Sequence, residues 1–192
     1  MNFIFNLVVE SFRDPNVAAQ RVLAIKHDLN LSVSAYALSI IISIVTLFGF
    51  NGFQLVNILP GSIPLSPFIL VAVMGMANLV VIYFVMLIGR GFGGNGRLID
   101  GIWIFSWLQV LQIIIQIGQM VLMLVSVSLA TFLSLMASVV WLWVMFGFVT
   151  VWLGLHSKLI SALCFLIAIF GLSISFSILL VFFGFNPEAI AS

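Results

Sequence analysis

The chain has 192 residues, 64% of them apolar and 6% charged, against roughly 45–50% apolar and about 25% charged in soluble domains, so a water-soluble globule is excluded. A net charge of +1, from six Lys or Arg against five Asp or Glu, offers no basic surface for nucleic acid. The single cysteine permits neither an intramolecular disulfide nor a Cys-based zinc site, and no metal or cofactor is expected.

The first thirty residues lack the cationic start and cleavable apolar core of a signal peptide. Asp14 followed by Pro15 is a helix opening, with an acceptor at the cap and a ring whose missing N–H costs nothing in the first turn. At about 100° per residue Ala18, Val22, Ile25 and Leu29 share one face, and Asn16, Gln20 and His27 the opposite one. Arg21 and Lys26 stand on the flanks, where their stems can follow an apolar boundary and lift their charges to lipid phosphates. Upstream, Asn2, Asn6, Glu10 and Arg13 form a narrow polar strip. Residues 1–30 are therefore expected as a cytoplasmic amphipathic segment lying on the membrane; packing against the cytoplasmic ends of the spans fits the pattern equally well.

A helix needs roughly 20 apolar residues to cross about 30 Å of hydrocarbon, which offers its backbone no partners. Residues 31–50 and 68–89 meet that test, separated by a segment rich in Pro and Gly that reads as a loop, and 159–183 gives the last span before a short tail, 184–192. The apolar run from Ile102 to Leu155 would be about 80 Å long as one helix and must turn back. Its weakest stretch is Ser126 to Thr131, so spans are expected over 102–125 and 132–155. Trp141 and Trp143 then fall mid-span, although tryptophan favours membrane interfaces. The expectation is an all-α polytopic membrane protein, with a 31–183 membrane domain of five transmembrane helices preceded by an interfacial amphipathic helix.

Charge supplies an independent test, because Lys and Arg stay in short cytoplasmic loops. Arg13, Arg21 and Lys26 precede the first span, Arg90 and Arg97 follow the second, and Lys158 follows the fourth. All six fall on one side if five spans alternate, which puts the amino terminus in the cytoplasm and the carboxyl terminus outside.

Gly89, Gly91 and Gly94 spell G-x-G-x-x-G, but after a membrane span rather than a strand, which removes the dinucleotide reading. The glycines suit a tight turn with positive φ, continued by Gly93, Asn95, Gly96 and Gly101. Backbone N–H groups with Arg90 and Arg97 could also hold a lipid head group, so Arg90, Gly91, Gly93, Gly94, Gly96 and Arg97 form a candidate lipid or partner loop.

The third span carries Gln109, Gln112, Gln116 and Gln119, confined by their spacing to a sector of about 80°. Amides facing hydrocarbon are costly, so the stripe must face other helices or water. Polar glue against Ser39, Ser43 and Thr46 or against Ser134 and Ser138 is one reading, and a permeation or binding path is the other. No Asp, Glu, Lys, Arg or His lies well inside a span, which argues against proton relays and membrane proteases. His27 with Asp28 and His156 with Lys158 lie at the cytoplasmic boundary, Asp100 is expected to cap the third span, and Cys164 is a packing residue.

Asp14-Pro15 leading into an amphipathic helix, five spans, and the turn Gly89-Arg90-Gly91-Phe92-Gly93-Gly94-Asn95-Gly96 before the third span together resemble the Yip-one (Ypt-interacting protein) domain family, in its bacterial branch, from about Val9 to Phe183. The resemblance implies five spans, a cytoplasmic amino terminus and a bacterial inner membrane. Eukaryotic members bind Rab-type GTPases in vesicle traffic, but the long acidic amino-terminal region and the Asp-Leu and Gly-Tyr motifs of those members have no counterpart here, so GTPase binding is not implied. The expected function is a non-enzymatic scaffold that binds the lipid bilayer and a protein partner or a second copy of itself, without a small-molecule substrate. The alternative is a small-solute channel or transport component lined by the glutamine stripe.

Overall fold

A computed structural model describes residues 2–50 and 66–182. Seven helices follow in order: α1 (Asn2–Arg13), α2 (Pro15–Ala24), α3 (Leu29–Phe50), α4 (Pro67–Gly91), α5 (Leu98–Val125), α6 (Val127–Leu153) and α7 (Lys158–Phe182). The expected loop between the first two spans lies outside the described residues apart from its last two positions, and the tail after Phe183 lies wholly outside them.

Among the described residues four helices, α3 to α6, are long and apolar enough to cross a membrane, and the chain is a polytopic, all-helical integral membrane protein. Helix α7 is as apolar as they are, with side chains described through Ile174. The long helices form a ring in the order α3, α5, α6, α7, α4 and back to α3, with α4 also touching α5 across it.

Local chemistry sets the helix ends. Asp14 caps α2 by accepting from the backbone N–H groups of Asn16 and Val17 at 3.1 and 3.3 Å, with Pro15 in the first turn. Ser66 and Pro67 open α4 in the same way. Gly154, at φ +68°, ends α6 in a left-handed cap whose neighbour Leu155 donates to the Thr150 carbonyl at 2.9 Å.

The reversal between α5 and α6 is tighter than the six-residue turn expected. Ser126 alone, in extended backbone, closes α5 and opens α6, and its hydroxyl accepts from the Leu129 N–H at 3.4 Å. A single capping serine suffices where no glycine or proline marks the break, because the Ncap position itself is extended.

The amino-terminal segment departs from the surface-lying helix. Helix α2 stops at Ala24, so Lys26 lies in the link to α3, and Leu29 is the first residue of α3. Of the face expected to meet lipid, Ala18 and Val22 are buried, together with Pro15 and Ala19, where α2 packs on α6 and α5, whereas Ile25 is half-buried and Leu29 exposed. Gly147 of α6 makes this possible: a Cβ there would stand 2.7 Å from the Pro15 ring. Small residues on both helices allow close approach, and packing on the span ends prevails over lying on the bilayer.

Candidate functional site

The two candidate surfaces lie at opposite ends of the bundle. At one end the helices α1 and α2, the α4–α5 turn and the α6–α7 turn come together, and with them all six Lys and Arg. Three tryptophans tie this end. Trp103 Nε1 donates to the Val22 carbonyl at 2.9 Å, Trp107 Nε1 to the Ser11 hydroxyl at 3.1 Å, and Trp152 Nε1 to the Arg97 carbonyl at 2.8 Å. Indole suits the task, since it buries a broad apolar ring while keeping one donor for a carbonyl. The sequence reading did not single out these three; the signal was a tryptophan near the charged end of each of two spans.

His27 and Asp100, assigned to separate roles from sequence, meet here. The imidazole stacks on Trp103 with ring centroids 5.2 Å apart, and its nitrogens lie 2.7 Å from the Ile25 carbonyl and 3.1 Å from the Asp100 carboxylate. Asp100 therefore ties the α2–α3 link to the first turn of α5. The cap position of α5 belongs to Arg97, which makes no side-chain cap bond. With both nitrogens engaged, the histidine is held as a strut.

The glycine-rich turn is shaped by what lies beneath it. Gly93 alone in this turn takes a positive φ, +85°. Gly94 and Gly96 are needed instead for close approach, since a Cβ on either would meet the Leu153 or Trp152 backbone carbonyl at 2.9 or 3.0 Å. Asn95 N–H donates to the Leu153 carbonyl at 2.9 Å. The turn is thereby clamped over the end of α6, with Arg90, Gly91, Gly93 and Arg97 exposed on its outer side. Arg21 is exposed on α2 with its guanidinium 3.0 Å from the Glu10 carboxylate, and Lys26 is exposed beyond the helix.

Helix α1 is the amphipathic element that remains open. Leu7 and Ser11 face the bundle, while Phe3, Ile4, Phe5 and Val9 are at least half exposed. Trp107, which holds Ser11, lies about 14 Å along α5 from its first residue, so this apolar face stands beside the cap-end half of α5.

The glutamines lie on one side of α5, but they do not line one path. Gln112, Gln116 and Gln119 line a groove of about 510 Å³ between α3, α5 and α6, with Thr46, Thr131 and Ser134 opposite. Gln109 instead faces a smaller cavity of about 220 Å³ among α4, α5, α6 and α7, shared with Asn78 and Trp141. The expected glue forms at one point, where Gln119 donates to the Ser134 hydroxyl at 3.4 Å. Thr46, Ser39 and Ser138 bond back to their own helices. Gln116 Oε1 and Trp141 Nε1 are buried without a partner.

Of the mid-span tryptophans, Trp141 lines that smaller cavity, whereas Trp143 lies outside it, 4.5 Å beneath the Lys158 ammonium. Towards the charged end, the glutamine sector continues through Phe105 and Gly101 at about 100° per residue. There it is filled: Phe105 packs edge-on against Trp152 with centroids 6.1 Å apart, and a Cβ on Gly101 would lie 2.3 Å from the Trp152 ring.

Among the described residues no group of His, Cys, Asp or Glu could hold a metal ion. Comparison with protein-family models, with curated proteins and with solved structures gives no match. The resemblance to the Yip-one family therefore rests on the residues quoted for it.

Proposed function

We propose that the chain is a non-enzymatic, five-span membrane protein of a bacterial inner membrane, related to the Yip-one family, that binds membrane proteins or lipids through the cap at its cationic end. In this reading α7 is the fifth span, the amino terminus lies in the cytoplasm and the carboxyl terminus outside. The gathering of all six cations at one end of the bundle supports that orientation, by the same rule that was applied to the sequence.

The observation that carries the proposal is the construction of the cap. Helices α1 and α2 and the glycine-rich turn are fixed by indole bonds and close glycine contacts. They present exposed Arg90 and Arg97 together with the open apolar face of α1. A rigid surface combining cations with an apolar helix face at membrane level suits docking to an anionic lipid surface or to a protein held there.

The test is crosslinking from photoreactive residues at positions 90 and 97 in intact membranes. A discrete protein partner, a second copy or a lipid adduct is expected; no adduct at either position would overturn the reading. A periplasm-active reporter fused after Ser192 should be active, and the same reporter placed after Gly91 silent. The channel alternative fares less well, because the glutamine sector ends at Phe105 on Trp152 rather than at an opening. Solute flux in vesicles that disappears when Gln112 and Gln116 are both changed to leucine would restore it.

A further inference from the structure

We infer that α1 lies along the edge of the hydrocarbon on the cationic side of the bundle, with the flank formed by Ile4, Phe5 and Val9 sunk among the acyl chains of that leaflet. The occupant of the open apolar face is then the chain's own bilayer. The inference rests on the reading that the cap stands at a membrane surface and narrows it, because it leaves Arg90, Arg97 and the glycine-rich turn as the surface free for a partner.

Depth comes first. Hydrocarbon about 30 Å thick takes up roughly 20 residues of a helix. Counted back from Val125 at the far end of α5, and forward from Val127 at the start of α6, one crossing ends near Ser106 and Phe146. The charged residues of the α5 entry, Arg97 and Asp100, then fall outside the hydrocarbon, as they should. Trp107, whose Nε1 donates to the Ser11 hydroxyl at 3.1 Å, and Gly147, against which Pro15 packs, both lie at this edge. They hold the carboxyl-terminal end of α1 where acyl chains give way to head groups.

Direction comes next. At about 100° per residue, three sectors run lengthwise round α1. Leu7 and Ser11 are buried against the bundle, Ile4, Phe5 and Val9 stand exposed on one flank beside half-buried Val8 and Phe12, and Asn6, Glu10 and Arg13 occupy the other. Phe3, also exposed, falls between the polar flank and the bundle. Glu10 pairs with Arg21 of α2 at 3.0 Å, and α2 is tied through the Val22 carbonyl to Trp103, four residues or about 6 Å nearer the cap end of α5 than Trp107. The polar flank is therefore turned away from the hydrocarbon and the apolar flank towards it. Lengthwise sectors suit an axis parallel to the boundary, since a helix standing upright would carry both flanks through the same surroundings. A soluble partner would have to pass beneath the head groups to reach this flank, and acyl chains are already there.

The test uses the full chain in phosphatidylcholine vesicles, with one nitroxide attached through Phe5→Cys, Val9→Cys, Asn6→Cys or Arg13→Cys in a Cys164→Ala background, the native thiol being buried. Labels at positions 5 and 9 are expected to be relaxed by dissolved oxygen and shielded from a water-soluble nickel chelate, at a depth of about 5–10 Å. Labels at 6 and 13 should show the opposite preference. Nickel access at 5 and 9 equal to that at 6 and 13 would overturn the inference, and so would shielding of 5 and 9 from both reagents, the sign of a second copy covering the flank. A measurement on the unaltered chain guards against labels that disturb packing: phosphatidylcholine with a photoreactive acyl chain should form adducts at Ile4, Phe5 or Val9, and an α1 free of adduct while α3 to α6 are labelled would also overturn it. Crosslinking from positions 90 and 97 succeeds or fails separately. Adducts there, with nickel access at 5 and 9, would sink this inference and keep the proposed function; no adducts there, with 5 and 9 shielded from nickel and open to oxygen, would do the reverse.

Discussion

The two halves of the bundle are built on different principles, although the same helices run through both. In the cap half, α6 is buried at most positions from Val144 to Leu153 and α5 on the face that runs from Gly101 to Ile113, and the side chains there interlock through indole donors and glycine contacts. In the far half, Leu124, Val125, Val127, Phe132 and Leu135 are all more than half exposed, and the polar side chains bond mainly to their own helices or stay unpartnered. Apolarity is the same in both, so it does not distinguish them. Packing does, and it depends on where small residues let backbones approach. The cap half is closely packed, and the far half leaves much of its apolar surface uncovered.

That contrast is broken most directly at Trp152. Trp152→Ala should cost about 3–5 kcal/mol, the range for emptying a buried aromatic site, and it would also release the Arg97 carbonyl and uncover Phe105. Unfolding in mixed micelles measures it, and a loss below about 1 kcal/mol would show that the cap half is not the stable core. Leu124→Ala, at a site 87% exposed, should change stability by less than about 0.5 kcal/mol in the same assay.

A smaller effect is expected where α2 meets α6. Gly147→Leu would drive a side chain into Pro15, whose ring already stands 2.7 Å from the site of a Cβ, at about 1–3 kcal/mol. The strain is relieved most easily by lifting α2 away. Limited proteolysis should then cut within residues 15–24 while the long helices persist, and an unchanged digestion pattern would mean that α2 is not held there.

The helical class was legible because it follows from composition, and the capping of α2 because Asp14 and Pro15 act within one turn. The reversal at Ser126 could be placed to within a few residues from its hydroxyls, but not its tightness, since an extended capping residue leaves no compositional mark. The fate of the α2 face was not decidable from its own residues. Ala18 and Val22 would serve a lipid surface equally well, and the deciding residue, Gly147, lies far along the chain. The glutamine spacing confines the four to one side of α5, yet one side can meet two cavities when neighbouring helices cross it at different heights. His27 with Asp100 was missed because the contact joins residues 73 apart, and neither has a local reason to seek the other.

At the tie between α1 and the bundle, Trp107→Phe keeps the ring and removes the donor to Ser11. The expected loss is about 1 kcal/mol, the net worth of one hydrogen bond. An environment-sensitive probe at Phe3 should report a more mobile α1, and an unchanged signal would assign the docking of α1 to its apolar contacts and the Glu10–Arg21 pair.

The smallest effect, and the one of opposite sign, is expected in the far half. Gln116→Leu in detergent free of added lipid removes an acceptor that has no partner, so stability should stay the same or rise by about 1 kcal/mol as an unsatisfied amide gives way to an apolar side chain. In the cap half, replacing Trp103, Trp107 or Trp152 instead loses a formed bond and should destabilise. A Gln116→Leu variant that loses as much as Trp107→Phe would mean that the amide already bonds within the fold. The far half would then be a second packed interior, and the contrast between the two ends would rest on exposure alone.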